Sequence, residues 1–168
     1  RLNKDDLIKT LSDGCKPRED WRIGLEHEQF AYNTATKKPL QYTSKDASSQ
    51  TIKALLDEMA SRYGWKPKYE DDNVVALTRN GIPGDKRTEH SVTLEPAGQV
   101  ELSGSACKTI ADMVAEHQKY LSEINAIGAD HGIEFCSAGF HPQWTRDDIH
   151  WMPKARYKIM RDYLPTKG

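Results

Sequence analysis

Two stretches of alternating polar and apolar residues, 91–95 and 99–103, are separated by only three residues. The residues between them, Pro96, Ala97 and Gly98, are typical of a turn, and so short a connection can join two strands only in antiparallel fashion. The spacing therefore predicts a β-hairpin. This hairpin makes an antiparallel sheet the starting point for the fold.

The rest of the chain shows further strand and helix patterns. A period of two predicts strands at residues 21–32, 74–78 and 133–140. Apolar residues at helical spacing predict helices at 2–11, 52–63, 109–132 and 152–164, the first of which we expect to serve packing. Residues 33–49 are predicted to form a polar connection, and 79–84 a turn. Helices between strands, without strict β-α-β alternation, predict an α+β fold with a largely antiparallel sheet.

The third helix has the clearest boundaries of the four. Thr109, with Asp112 three residues later, resembles a capping box, and the helix is predicted to end near Gly132. Apolar residues from Ile110 to Ile127 are predicted to form one stripe along this helix.

Four glutamates are the strongest candidates for a functional site. Glu26 and Glu28 are two apart on a predicted strand, so their side chains leave one face about 7 Å apart. Glu95 and Glu101 lie on the polar faces of the two hairpin strands. If these faces belong to one concave sheet, the carboxylates repel each other and favour a hard divalent cation, of which magnesium fits best. The alternative is that they line a solvated sheet face.

Other motifs and the overall charge exclude several classes of function. His27 and Glu28 begin a zinc-protease pattern, but Ala31 stands where the second histidine is needed. His27 is instead expected to point toward the core face of its strand. No P-loop or dinucleotide-binding glycine pattern is present. With 24 basic and 25 acidic residues the net charge is -1, so neither nucleic acid nor an anionic membrane is a predicted partner.

The three cysteines and the absence of a long apolar segment bear on location. Cys15, Cys107 and Cys136 are odd in number and widely spaced, so we expect reduced thiols. No stretch approaches the roughly 18 apolar residues of a membrane span, and the first residues lack a signal-peptide core. A cytoplasmic protein is expected, or a plastid one if a transit segment has been removed.

The last predicted helix carries a basic face formed by Lys154, Lys158 and Arg161. This face begins in the first helical turn, where the helix dipole disfavours cations. Either an anionic partner lies against it, or it is a solvated face relieved by nearby aspartates.

Four segments together resemble one enzyme family. They are WRIGLEHEQF at 21–30, LEPAGQVELSG at 94–104, GFHPQW at 139–144 and MPKARYKIMR at 152–161. In this combination and order they are similar to the glutamate-cysteine ligases of plants and many proteobacteria. Their resemblance implies an open half-barrel of the glutamine-synthetase-like carboxylate-amine ligase fold. It also implies that this fold is incomplete here, with residues 1–168 expected to be the N-terminal part of a single catalytic domain.

The resemblance also implies site residues and a reaction. It assigns magnesium binding to Glu26, Glu28, Glu95 and Glu101, a catalytic role to Arg156 and Lys154, and substrate binding to Gln99, Tyr157 and Arg156. The implied reaction is ATP-dependent ligation of the γ-carboxylate of glutamate to cysteine through an acyl phosphate, the first step of glutathione synthesis.

The same resemblance has limits. The implied partners are glutamate, cysteine, ATP and the missing C-terminal part of the enzyme, so the fragment alone is expected to have little activity. Two alternatives stay open: a related ligase that uses another amine, and a non-catalytic domain of the same fold. The thiol switch of the plant enzymes is not expected, since the helix at 109–132 contains no cysteine.

Overall fold

The computed structural model describes residues 2–46, 50–81 and 88–167. The helices are α1 (Lys4–Ser12), α2 (Ile52–Tyr63), α3 (Ile110–His131) and α4 (Ala155–Tyr163), with short 3-10 turns at Arg18–Asp20 and Leu164–Thr166. The strands are β1 (Glu26–Asn33), β2 (Lys66–Glu70), β3 (Asn73–Asn80), β4 (Glu89–Leu94), β5 (Gln99–Ser103) and β6 (Ile133–Cys136).

All six strands form one antiparallel sheet in the order β2-β3-β4-β5-β1-β6. The β4–β5 hairpin lies near its centre, and β1 pairs with β5. This confirms the predicted α+β class and the antiparallel sheet. None of the described helices is long and apolar enough to cross a membrane.

One face of the sheet forms the core together with α2 and α3. Val92 and Leu102, directly paired across the hairpin, are buried on this face. Leu56 of α2 and Ile124 of α3 belong to the same buried cluster. Since side chains alternate along a strand, the residues between these apolar positions are displayed on the opposite, open face.

The helix ends follow the predicted chemistry. Thr109 and Asp112 form a complete capping box at the start of α3. Gly64 and Gly132 end α2 and α3 in the left-handed conformation, with φ of 71° and 65°, which glycine adopts without steric penalty. These caps fix where α2 and α3 begin and end.

The structure corrects the expectation that the first helix packs on the core. No residue of α1 is buried, and Leu7 and Leu11 are 56% and 78% exposed. The helix is stabilised by local interactions, among them a capping box between Asn3 and Asp6. Amphipathic spacing thus predicted the helix correctly, but not its burial. The stripe predicted along α3 is buried at Ile124 and Ile127, whereas Ile110 and Val114 in its first half are exposed.

Several strand and helix boundaries also differ from prediction. β1 begins only at Glu26, because Ile23 makes an isolated bridge to Cys107. β6 ends at Cys136, after which the side chain of Ser137 rather than the backbone bonds β1. β2 was not predicted, and α4 begins three residues later than expected.

Two predicted connections lie partly outside the described residues. These are positions 47–49 of the long connection and 82–84 of the turn. The first two residues of the predicted turn, Arg79 and Asn80, belong to β3 instead.

Candidate active site

Glu101 lies at the centre of an acidic cluster on the open face. β5 places it directly opposite Glu28 of β1 and Thr93 of β4. Its carboxylate accepts hydrogen bonds from Thr93 Oγ1 at 3.0 Å and from Ser103 Oγ at 2.9 Å. Glu28 in turn accepts a bond from Gln99 Nε2 at 3.0 Å. The cluster is therefore held in place by neutral donors on the same face.

Glu95 joins this cluster from the hairpin turn. It follows the last residue of β4, and its backbone bonds Gln99 and Gly98 across the turn. Burial raises the pKa of Glu95, and so do a hydrogen bond with Glu101 and the nearby charges of Glu101 and Glu28. Three of the four predicted carboxylates, Glu28, Glu95 and Glu101, are thus brought together.

Glu26 lies two residue pairs further along β1, opposite Ser103. It is exposed and borders a separate depression of about 310 Å³ lined by Gly24, Leu25, Ser103 and Gly104. Within the described ranges, no three histidine, cysteine or acidic side chains form a ready-made metal cage. The donor chemistry of the cluster, carboxylate oxygens flanked by hydroxyls, is nevertheless what magnesium prefers.

The start of α4 places basic and phenolic groups beside the acidic cluster. Arg156 Nη2 lies 3.8 Å from Glu95 Oε1 and donates to Tyr157 Oη at 3.2 Å. The phenol of Tyr157 is buried and donates to the carbonyl of Leu94. Lys154 Nζ donates to the same carbonyl at 3.0 Å. All three residues predicted from this segment therefore lie at the site.

The charge states of Lys154 and Arg156 follow from their surroundings. Burial lowers the pKa of Lys154, and the positive Arg156 lowers it further, while the charges of Glu95, Glu70 and Glu101 act in the opposite direction. The pKa of Arg156 is raised, chiefly by its hydrogen bond to Tyr157. The guanidinium therefore stays a fixed positive charge beside the carboxylates.

The predicted basic face of the last helix is only partly at the site. Lys158 and Arg161 are exposed, and the Arg161 guanidinium lies 5.3 Å from the ring centre of Trp151. Only Lys154 of the three contacts the hairpin. A solvated outer face therefore describes Lys158 and Arg161 better than an anion site does.

His27 lies on the core face, as its strand position predicts. Its Nδ1 is 2.9 Å from His117 Nε2 of α3, and its Nε2 is 3.0 Å from Ser137 Oγ. Burial and the neighbouring His117 lower the pKa of His27. The histidine ties β1 to α3 and is separated from Glu28 by the sheet.

Two features near the site were missed. Phe30 shares the open face with Glu28 and packs edge-on against the stacked rings of His141 and Trp144. The alternation of β1 already places Phe30 on that face. Glu70 of β2 accepts a hydrogen bond from the backbone of Ala155, and without a prediction of β2 nothing in the sequence pointed to it.

The three cysteines are free thiols, as predicted. Cys107 is buried, Cys15 is exposed and Cys136 lies between these extremes. None of the three belongs to the cluster of Glu28, Glu95 and Glu101.

The chain was compared with known protein families and proteins. Residues 22–168 match the family model described as Glutamate-cysteine ligase family 2 (GCS2). The chain is 40% identical over 167 residues to glutamate--cysteine ligase A, chloroplastic, of Oryza sativa subsp. japonica, covering 99% of this chain and 31% of the relative. The chloroplastic glutamate--cysteine ligases of Brassica juncea and Arabidopsis thaliana are 40% and 38% identical, with 30% and 29% of their lengths covered.

The chain thus spans about 30% of the length of these relatives. The family match includes β1, the hairpin and α4, the three elements that build the site. The chain therefore belongs to glutamate-cysteine ligase family 2.

Proposed function

We propose that the full-length protein joins the γ-carboxylate of glutamate to the amine of cysteine at the expense of ATP, and that this chain is the N-terminal part of its catalytic domain. The single observation that supports this best is the meeting of Glu28, Glu95 and Glu101 with Arg156 and Lys154 on one open sheet face. Family membership and the names of the relatives support the same reaction.

Magnesium is proposed as the counter-charge of the acidic cluster. Glu28, Glu95 and Glu101 would hold it with their carboxylate oxygens, and Glu26, two residues before Glu28 on the same face of β1, would extend the set. A bound magnesium ion supplies positive charge that neutralises the phosphates of ATP. The chain's own contribution is to keep the carboxylates aligned through the hydroxyls of Thr93 and Ser103 and the amide of Gln99.

The proposed chemistry has two steps. An oxygen of the glutamate γ-carboxylate attacks the γ-phosphorus of ATP, so that ADP leaves and an acyl phosphate forms. The cysteine amine then attacks the acyl carbon, phosphate leaves and the amine loses a proton. No protein nucleophile is needed, so the task of the site is positioning and charge stabilisation.

The basic groups of α4 are suited to the anionic partners in this reaction. Arg156 is charged, largely exposed and directed toward the cluster, which favours a contact with a substrate carboxylate or the transferring phosphoryl group. Lys154 adds a second positive charge nearby. Tyr157 is buried and bonded to both Leu94 and Arg156, so holding Arg156 suits it better than direct contact with a substrate.

The location of the protein is a separate proposal. The relatives carry "chloroplastic" in their names, which describes those proteins. The cytoplasmic location expected from the sequence is kept as a proposal beside a plastid location for this chain.

The proposal is tested in the full-length protein by replacing Glu101 with Gln. We expect ATP-dependent formation of γ-glutamylcysteine to fall by at least a hundredfold, with the circular dichroism spectrum unchanged, because the amide cannot supply the charge at the centre of the cluster. Glu134→Gln, on the exposed edge strand β6, is the matched control and should retain activity. Full turnover by the Glu101 variant would refute the proposed site.

A second measurement separates the proposed reaction from the two alternatives. Product formation is compared across amino-acid amines, and preference for an amine other than cysteine would indicate the related ligase. Calorimetry that detects no magnesium-dependent ATP binding by the complete protein would indicate a non-catalytic domain.

A further inference from the structure

Helix α4 carries Arg156 but has an unfavourable N-terminus of its own. Its N-cap residue is Lys154, which makes no side-chain capping bond, and its first turn contains no acidic residue. The first N–H groups of a helix lack partners within the helix, and its dipole makes that end partially positive. A lysine at this position therefore adds positive charge where a carboxylate is preferred.

The missing carboxylate comes from the far edge of the sheet. Glu70, the last residue of β2, accepts a hydrogen bond from the backbone N–H of Ala155 at 2.8 Å. Ala155 is the first residue of α4. Burial and Arg156 lower the pKa of Lys154, and the charge of Glu70 acts in the opposite direction, which places this carboxylate close to the lysine as well. Glu70 thus caps a helix that begins 85 residues later.

The edge of the sheet is shaped so that it presents Glu70 to the helix. β2 and β3 change register between Lys68 and Tyr69, one residue before Glu70. Such bulges increase the local twist and redirect the side chains beside them. The alternation of β2 places Glu70 on the same face as Lys68, whose partner Ala76 is paired with Thr93 of the open face.

A second anchor fixes the same helix end to the hairpin. The carbonyl of Leu94 accepts bonds from Lys154 Nζ and from the phenol of Tyr157, and Arg156 donates to that phenol. Because Glu95 directly follows Leu94, this anchor sets the separation of Arg156 and Glu95. Contacts at Leu94 and at Glu70 therefore both hold the end of the helix that carries the guanidinium.

We propose that Glu70 is a positioning residue for glutamate-cysteine ligation, acting through the backbone of α4 to set Arg156 against the acidic cluster. The inference rests on the proposed function, in which Arg156 meets an anionic group of a substrate. Glu70 is also a carboxylate of the open face, but its role differs from that of Glu26, Glu28, Glu95 and Glu101. It fixes the position of the positively charged end of α4.

The test uses two variants of Glu70 in the full-length protein and one matched control. Glu70→Ala removes both the acceptor and the charge, whereas Glu70→Gln keeps an acceptor oxygen for the N–H of Ala155. Asp72→Asn removes one negative charge from the exposed turn between β2 and β3. Steady-state kinetics with glutamate varied are combined with amide hydrogen exchange in the first turn of α4.

We expect Glu70→Ala to lower kcat/KM for glutamate about tenfold, a size typical of losing a charged helix cap. The change should lie mainly in KM, and exchange in the first turn of α4 should become faster. Glu70→Gln should recover a large part of both losses, and Asp72→Asn should match the wild type. A merely structural role would lower stability without this KM effect and without recovery by Gln.

Unchanged kcat/KM together with unchanged exchange in Glu70→Ala would overturn the proposal. So would an equal loss in the Asp72 control, since the effect would then be one of general charge. If the wild-type full-length protein makes no γ-glutamylcysteine, the proposed function fails instead. The exchange measurement then decides the capping role of Glu70 by itself, faster exchange supporting it and unchanged exchange refuting it.

Discussion

A buried ion pair between α3 and the sheet provides a sharp test of the fold. Glu123 of α3 is 5% exposed, and its carboxylate accepts bonds from Arg79 Nη1 at 2.9 and 3.0 Å and from Trp65 Nε1 at 2.9 Å. The Arg79 guanidinium lies 4.1 Å from the ring centre of Trp65. One carboxylate therefore satisfies a buried charge and a buried indole together.

Replacing Glu123 with Ala should destabilise the chain by about 3 kcal/mol. Breaking a buried pair by removing one partner costs about 3–5 kcal/mol, because the remaining charge loses its compensation. We expect the lower end, since Arg79 keeps a bond to His90 at 3.2 Å and its side chain is 16% exposed. Glu123→Gln retains an acceptor for Trp65 and should cost about 2 kcal/mol.

The measurement is urea unfolding followed by circular dichroism, with the tryptophan fluorescence as a second probe. The double variant Arg79→Met with Glu123→Leu serves as the control, because it removes both charges and leaves neither uncompensated. It should be more stable than Glu123→Ala, as is often found when a buried pair is replaced by apolar residues. A loss below about 1 kcal/mol for Glu123→Ala would refute this reasoning.

Two further predictions concern α3 and the loop after β6. Gly128→Ala should lower the free energy of unfolding by about 1–3 kcal/mol, measured by urea unfolding, because the added Cβ would lie 2.6 Å from the carbonyl oxygen of Ile133. The control is Ala129→Gly on the exposed side of α3, which should cost about 1 kcal/mol from helix propensity alone. The pKa of Asp148 is lowered to about 2, first by its bond to Lys38, so its contribution to stability is complete above the unfolded value near 4 and is lost as the pH falls toward 2. Carboxyl NMR should follow the titration of Asp148, and Lys38→Met should shift the midpoint of that titration upward. A midpoint near 4 in the wild type would contradict the ion pair.

Local patterns predicted the parts of the fold that local physics determines. The hairpin followed from alternation and a three-residue turn, and α3 from its capping box and glycine stop. β2 gave no such signal because Lys66, Pro67 and Lys68 are exposed and show no alternation of polar and apolar residues, as suits an edge strand, where lysine and proline are tolerated. The order of the strands depends on contacts distant in sequence, which periodicity does not contain.

The candidate site likewise combines features that local patterns predicted with features that depend on contacts distant in sequence. Alternation correctly placed Glu28 and Glu101 on polar strand faces, but only the pairing of β1 with β5 brings them opposite each other. Arg156 was identified by family resemblance, whereas its position depends on the carbonyl of Leu94 and on Glu70. Backbone acceptors and distant caps leave no residue pattern, so they were found only in the structure.

The pairing of Glu28 with Glu101 argues for a functional rather than a structural cluster. Like charges directly opposite each other on neighbouring strands destabilise a sheet, and Glu95 adds a third carboxyl whose pKa is raised by burial and by the other two carboxyls. The hydroxyls of Thr93 and Ser103 offset this repulsion only in part, because they are neutral donors. A sheet selected for stability alone would place an opposite charge or a β-branched residue at one of these positions. Conflicts between local rules and the fold are expected at functional sites, so this pairing supports the proposed binding of a cation at the cluster.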